Sequence, residues 1–222
     1  MSRSSRSTIA SGNGSAVFPP NKHQARTEAT KKKLIDAAFQ VFTRDGFAAA
    51  RIEDIAAHAG FTRGAFYAHF NSKNDLFFGL MEAKAAQRQE RIRRSLEGCE
   101  TAAEKLSAFR DFYAMHGADR QWGILLVEFK LYAIREPKLH QQLAEAHRNL
   151  RARLSSWIRE TGIEVAEKQI THREEVRAAL EAAYMGLVLE RAYDPKRLSE
   201  GRVRRFLAEI FDAVTAESGL SN

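Results

Sequence analysis

No proline interrupts residues 21–136, and within that span the large apolar residues recur at helical rather than strand spacing. Leu34, Ile35, Ala38, Phe39 and Phe42 form one stripe of 3.6-residue period that stops at Asp45-Gly46. Three later helix starts carry a hydroxyl followed three residues on by a carboxylate: Ser72…Asp75, Thr101…Glu104 and Thr171…Glu174. Each such pair can satisfy backbone N–H groups that a first helical turn leaves unbonded. Gly117 and Gly162 suit helix stops, and Pro137 suits a first turn. No alternating apolar/polar run marks a strand. The predicted class is all-α.

The two ends read differently. Residues 1–26 are rich in Ser, Arg, Gly and Asn and hold only Ile9, Val17 and Phe18 as large apolar groups. They cannot bury enough surface to offset their ordering entropy, so a disordered basic arm is predicted there. Toward the C-terminus, Val176, Leu180, Ala183, Tyr184, Leu187 and Val188 form one stripe. Val203, Phe206, Leu207, Ile210, Phe211 and Val214 form another, with Asp194-Pro195 between them. Such a pair fits the core of a monomer equally with one half of a symmetric four-helix interface, because Ala178, Ala179, Ala182 and Gly186 permit close approach.

Charge and composition narrow the function. Of 35 basic and 28 acidic residues, residues 1–80 hold 11 and 6, so most of the net +7 lies in the first third. That asymmetry suits contact with a polyanion once a binding shape is present. No apolar run, Ile124–Val127 included, approaches the length needed to span a bilayer. The single cysteine, Cys99, can form neither an internal disulfide nor a multi-cysteine zinc site, and a cytoplasmic location is predicted.

The shape comes from residues 46–78. Ile52, Ile55 and Ala56 give a short apolar face before Gly60, and Thr62 supplies an oxygen to start the next helix, expected to run about seven residues. Ala56 is small where two helices cross, Gly60 provides a positive-φ turn, and Phe66 with Phe70 anchors the second helix. The outer face then presents Thr62, Arg63, Gly64, Ala65, Tyr67 and His69, with Arg51 before it and Lys73 after. Arg63 can bond guanine or phosphate bidentately, while Thr62, Tyr67 and His69 suit phosphate oxygens. Ala65 is short enough to sit deep in a groove, and Lys73 can reach the DNA backbone. Arg3 and Arg6 of the arm offer a minor-groove contact.

This run resembles the DNA-binding domain of the tetracycline-repressor-like (TetR) family of transcription regulators. The resemblance rests on Gly46-Phe47, Asp54-Ile55-Ala56, Ala59-Gly60, Tyr67-x-His69-Phe70 and Ser72-Lys73-x-x-Leu76. One departure is Ala50-Arg51 where the family carries a Thr pair, so a cap hydroxyl is missing, at a cost of about 1 kcal/mol. Arg51 can contact phosphate instead. The resemblance implies a three-helix DNA-binding domain with a helix-turn-helix over 27–80, after the 1–26 arm. A helical ligand-binding and dimerisation domain would then occupy 81–222. The implied partners are a palindromic double-stranded DNA operator, a second copy of the chain, and a small-molecule effector that releases the DNA.

For the effector, Phe109, Phe112, Tyr113, His116, Trp122, Leu126, Phe129 and Trp157 are the predicted lining, although an aromatic stripe at this spacing fits a plain core as well. For the dimer, Leu180, Ala183, Tyr184, Leu187, Phe206, Ile210 and Phe211 are the predicted contacts. No cofactor and no metal are predicted: His140 and His147 share a helix face without a convincing third ligand. Phosphate-loop, zinc-protease, nucleophile-elbow and paired-cysteine motifs are all missing, which argues against an enzyme. The alternative is an all-helical protein-interaction module in which the helix-turn-helix is only structural.

Overall fold

The structure, a computed structural model, describes residues 21–116, 119–160 and 174–216. Among these residues regular structure is wholly helical. In chain order come α1 (Lys22–Asp45), α2 (Ile52–His58), α3 (Arg63–Tyr67), α4 (Lys73–Ser95) and α5 (Ala102–His116). They are followed by α6 (Arg120–Ile134), α7 (Pro137–Glu160), α8 (Glu174–Tyr193) and α9 (Glu200–Ala216). No helix of the described residues is long and apolar enough to cross a membrane, and no group of three potential metal ligands occurs among them.

The cap chemistry follows the sequence in two of its three predicted places. Thr101 Oγ1 accepts from the Glu104 amide while Glu104 Oε2 accepts from the Thr101 amide, a reciprocal box. Ser72 Oγ accepts from the Asp75 amide, but Asp75 turns its carboxylate to the Asn71 amide one residue further out. Thr171…Glu174, the stops at Gly117 and Gly162, and Arg3 and Arg6 concern residues outside those described. A further box was not anticipated: Asn21 and Gln24 cap α1, which starts at Lys22. The predicted disordered arm to residue 26 is therefore corrected, since residues 22–26 are helical. A side-chain oxygen on the amides of His23 and Gln24 is enough to nucleate the helix there.

One core joins the two ends of the molecule. Leu34, Ala38, Val41 and Phe42 of α1 meet Ile55 and Ala56 of α2, Phe66 of α3, and Leu76 and Phe77 of α4. Leu125, Phe129 and Ala133 of α6 complete the same cluster. At its centre Phe47 packs 5.2 Å from Phe42, 5.4 Å from Phe77 and 4.8 Å from Phe129, and Phe77 stacks on Phe129 at 3.7 Å. Gly46 makes this contact possible. Its φ of +80° suits glycine, and a Cβ there would lie 2.9 Å from Glu128 Oε1 of α6. A second cluster, Ile92, Phe109, Phe112, Leu180 and Phe211, ties α4, α5, α8 and α9 together. At Gly123 α6 approaches α8 so closely that a Cβ would meet Val188 at 2.8 Å and the Tyr184 hydroxyl at 2.9 Å.

Candidate nucleic-acid interface

The α2–turn–α3 unit is built as its spacing requires. Ile55 and Ala56 are buried, Gly60 takes φ +77°, and the Phe61 amide closes the turn on the Ala56 carbonyl at 2.8 Å. Phe66 and Phe70 are buried 5.9 Å apart and fasten α3 to the body of the domain. The helix itself is shorter than expected, five residues from Arg63 to Tyr67, so its backbone dipole contributes little. As expected, α2 starts at Ile52 with Arg51 in the cap position and no side-chain cap.

With Phe66 turned inward, the opposite face is left to solvent. Thr62, Arg63 and Gly64 are exposed, Tyr67 is 44% exposed, and Ala65 and His69 are half-buried. Thr62 Oγ1 accepts from the Ala65 amide at 3.2 Å, so this hydroxyl caps α3 before it does anything else. The Arg63 guanidinium lies 2.9 Å from Glu53 Oε1 and 5.5 Å from the centre of the Tyr67 ring. Glu53 and Tyr67 together hold its pKa above the ordinary value, led by the Tyr67 hydroxyl. Glu53 is a functional neighbour that sequence reasoning missed: nothing ten positions upstream marks it as the resting partner of Arg63. Arg51 is exposed, with its nearest carboxylate 3.9 Å away, also on Glu53.

Lys73 is corrected. Its ammonium donates to the carbonyls of Phe47, Ala48 and Ala50 at 2.7, 2.9 and 3.0 Å, which uses all three of its protons. It also lies over the Phe47 ring, 4.8 Å from the centroid. Burial lowers its pKa, and Glu128 works in the opposite sense. This lysine closes the loop between α1 and α2 rather than reaching outward.

The geometry of a small exposed polar helix on a buried aromatic anchor accords with the comparisons. Residues 34–80 match the model of bacterial regulatory proteins of the tetR family. Residues 102–216 match that of the C-terminal region of BetI-type transcriptional repressors. The chain belongs to the TetR family. SrpR, an HTH-type transcriptional regulator of Pseudomonas putida, is 32% identical over 120 residues, covering 54% of this chain and 46% of its own length. TtgW, an uncharacterized HTH-type transcriptional regulator also of Pseudomonas putida, is likewise 32% identical over 120 residues, 54% of this chain and 74% of its own. This TetR-family chain thus spans about half the length of SrpR. The fatty acid degradation regulator FadR of Bacillus halodurans shares the fold, with TM-score 0.62 at 20% identity over 87% of this chain and 97% of its own.

In the remaining helices of this TetR-family protein, the predicted effector and dimer residues sort by packing. Phe129 is fully buried and Trp122 stacks beside Phe77 at 6.1 Å, so both are part of the core that holds α6 on the helix-turn-helix domain. Leu126 is buried as well. Phe109 and Phe112 are buried in the second cluster, with Tyr113 and Trp157 packed at its edge. His116 ends α5, and its side chain lies outside the described residues. Leu180 and Phe211, predicted at the dimer interface, are instead monomer core, because their stripe faces α5 within the same chain. Tyr184 is turned inward too, its hydroxyl donating to the Asp119 carbonyl at 3.3 Å. Ala183 is half-buried, and Leu187 and Ile210 pack at cluster edges. Of the seven predicted contacts only Phe206 is exposed, accompanied on α8 by Leu189 and by Tyr193, which is 88% exposed.

Proposed function

We propose that this chain is a transcriptional repressor that binds a palindromic operator as a homodimer and releases it when a small molecule occupies the C-terminal helices. The observation that carries the reading is the two-sidedness of α3, with Phe66 buried and Thr62, Arg63 and Tyr67 outside. On DNA, Arg63 exchanges the Glu53 carboxylate for a base edge or phosphate, an exchange of one ionic partner for another. Thr62, Tyr67 and His69 set register on the backbone, Arg51 adds a phosphate contact, and Gly64 and Ala65 leave room for close approach. The dimer reading is supported by the exposed apolar edge of Leu189, Tyr193 and Phe206 on α8 and α9. Dimerisation spaces two α3 helices for half-sites roughly 34–36 Å apart. Release follows if the effector favours a dimer whose heads no longer meet that spacing. The physical path is the aromatic stack of Phe47, Phe77 and Phe129 between α6 and the DNA-binding helices.

The test is selection of bound sequences from a random duplex pool, followed by measurement of affinity against salt. A palindromic consensus with steep salt dependence supports the reading. Retention of no duplex at low salt refutes it and leaves the protein-interaction module. Tyr67→Phe is expected to weaken operator and random duplex alike, as befits a phosphate contact.

A further inference from the structure

Glu53 lies in the first turn of α2, a helix whose cap residue Arg51 makes no side-chain bond to it. An acid in that turn complements the helix dipole, and Asp54 beside it serves the same purpose. The dipole does not account for where the two carboxylates point. Asp54 is exposed, and its charge reaches Arg44 of α1, after that of Asp45. Glu53 is turned across the Gly60 turn to α3. Its Oε1 lies 2.9 Å from Nη1 of Arg63, and its Oε2 lies 3.9 Å from Nε of Arg51. One carboxylate thus answers both arginines assigned to DNA.

The hold on Arg63 is weak by construction. Both side chains remain open to water, and exposed ion pairs of this kind add little stability. The other polar neighbour of the guanidinium, the Tyr67 hydroxyl, stands 3.5 Å from Nη2, a long contact. Guanine, by contrast, presents N7 and O6 to two N–H groups at once, a stronger and more directional partner than a solvated carboxylate. At a sequence without such a base, Arg63 meets only the diffuse charge of the backbone, for which Glu53 is a ready substitute.

We propose that Glu53 is a specificity-determining residue, which withholds Arg63 from duplex of the wrong sequence and yields it to the operator. On random duplex the pair stays closed and Arg63 adds no contact. On the operator a two-bond partner opens it, and the displaced carboxylate then faces the negative potential of the groove. Discrimination is a difference of affinities, and a charge that opposes the wrong partner raises it as surely as a contact that favours the right one. The inference rests on the reading of α3 as the operator-contacting helix and names the residue that sets its selectivity.

The test compares the selected operator with a duplex of scrambled sequence, each titrated at several salt concentrations against the full chain and its variants. Glu53→Gln keeps the size of the side chain and removes its charge, so Arg63 becomes free to meet a phosphate on any sequence. One added phosphate contact steepens the slope of log K against log salt on scrambled duplex by about 0.9, a gain of roughly eightfold near 0.1 M salt. On the operator the gain is only the cost of opening an exposed pair, about fivefold or less, so the ratio of operator to scrambled affinity falls. Asp54→Asn makes the same change of net charge one residue away and gives a smaller gain on scrambled duplex. In an Arg63→Met background, most of the gain from Glu53→Gln disappears. Equal gains from Glu53→Gln and Asp54→Asn, or a gain undiminished by Arg63→Met, would reduce the effect to net charge and overturn the proposal. Loss of operator affinity on Glu53→Gln with scrambled duplex unchanged would overturn it too, since the carboxylate would then orient Arg63 rather than withhold it. Thermal melts check that each variant is folded, and Glu53→Ala replaces Glu53→Gln if the latter does not melt cooperatively. A wild-type chain that binds the operator while giving any of these contrary results keeps the regulatory reading and loses this one; a wild-type chain with no affinity for duplex DNA loses both.

Discussion

Replacing Lys73 with methionine separates a loop-closing lysine from a phosphate-binding one. The ammonium bonds the carbonyls of Phe47, Ala48 and Ala50, of which the bond to Ala48 is exposed and is readily replaced by water. The other two are half-buried, and hydrogen bonds to a charged donor contribute roughly 1.5–3 kcal/mol each. Against them stands the desolvation of the ammonium, visible as its lowered pKa. The net loss on Lys73→Met is expected at about 2–4 kcal/mol, including the contact with the Phe47 ring. Urea unfolding reads that as a lower midpoint. Equilibrium duplex binding of the folded variant at several salt concentrations reads the other possibility. Loss of one phosphate contact reduces the slope of log K against log salt by about 0.9, whereas loss of an internal clamp leaves it unchanged. An unchanged urea midpoint with a shallower salt slope would refute the reasoning.

The other predictions concern the core and its titration. Phe47→Ala opens a cavity among four rings and is expected to cost about 3–5 kcal/mol in chemical denaturation. Gly60→Ala, with nothing within 4 Å of a new Cβ, should cost only the left-handed backbone strain of about 1–2 kcal/mol. Gly46→Ala should cost more than Gly60→Ala, since Glu128 must also move, and equal losses would discount the approach of α6. His147 has a folded pKa below its ordinary 6.5, so the unfolded chain binds the extra proton first as pH falls. Stability therefore declines on acidification from about pH 6.5 down to the folded pKa, and His147→Gln should flatten that decline in melts taken at successive pH values.

The aromatic stack has a consequence for how the two parts of the chain communicate. Phe129 and Glu128 sit on α6 between the loop that Lys73 closes and the helix face that carries Lys130 toward Glu181. A shift of α6 relative to α8 meets resistance at Gly123, where the helices already touch. Close-packed contacts of this kind transmit displacement rather than absorb it.

Much of this was legible in the sequence because it depends on neighbours a few residues apart. The helical period, the Thr101–Glu104 cap, the turn at Gly60 and the inward Phe66 are all local arrangements whose geometry any three or four adjacent residues express. The motifs that carry the resemblance to the TetR family, such as Ala59-Gly60 and Tyr67-x-His69-Phe70, are of the same local kind. The sequence placed Leu180 and Phe211 at a dimer interface and Phe129 in an effector lining, and all three are buried within the single chain, because a periodic stripe states only that a face is covered. Whether the cover is the same chain, a second copy or a ligand depends on contacts between residues far apart in sequence. Lys73 looked like a free cation until the fold brought three carbonyls from residues 47–50 around it. Local bonding belongs to the sequence; the partner chosen for each exposed or buried group belongs to the tertiary structure, where long-range packing decides which charges are answered.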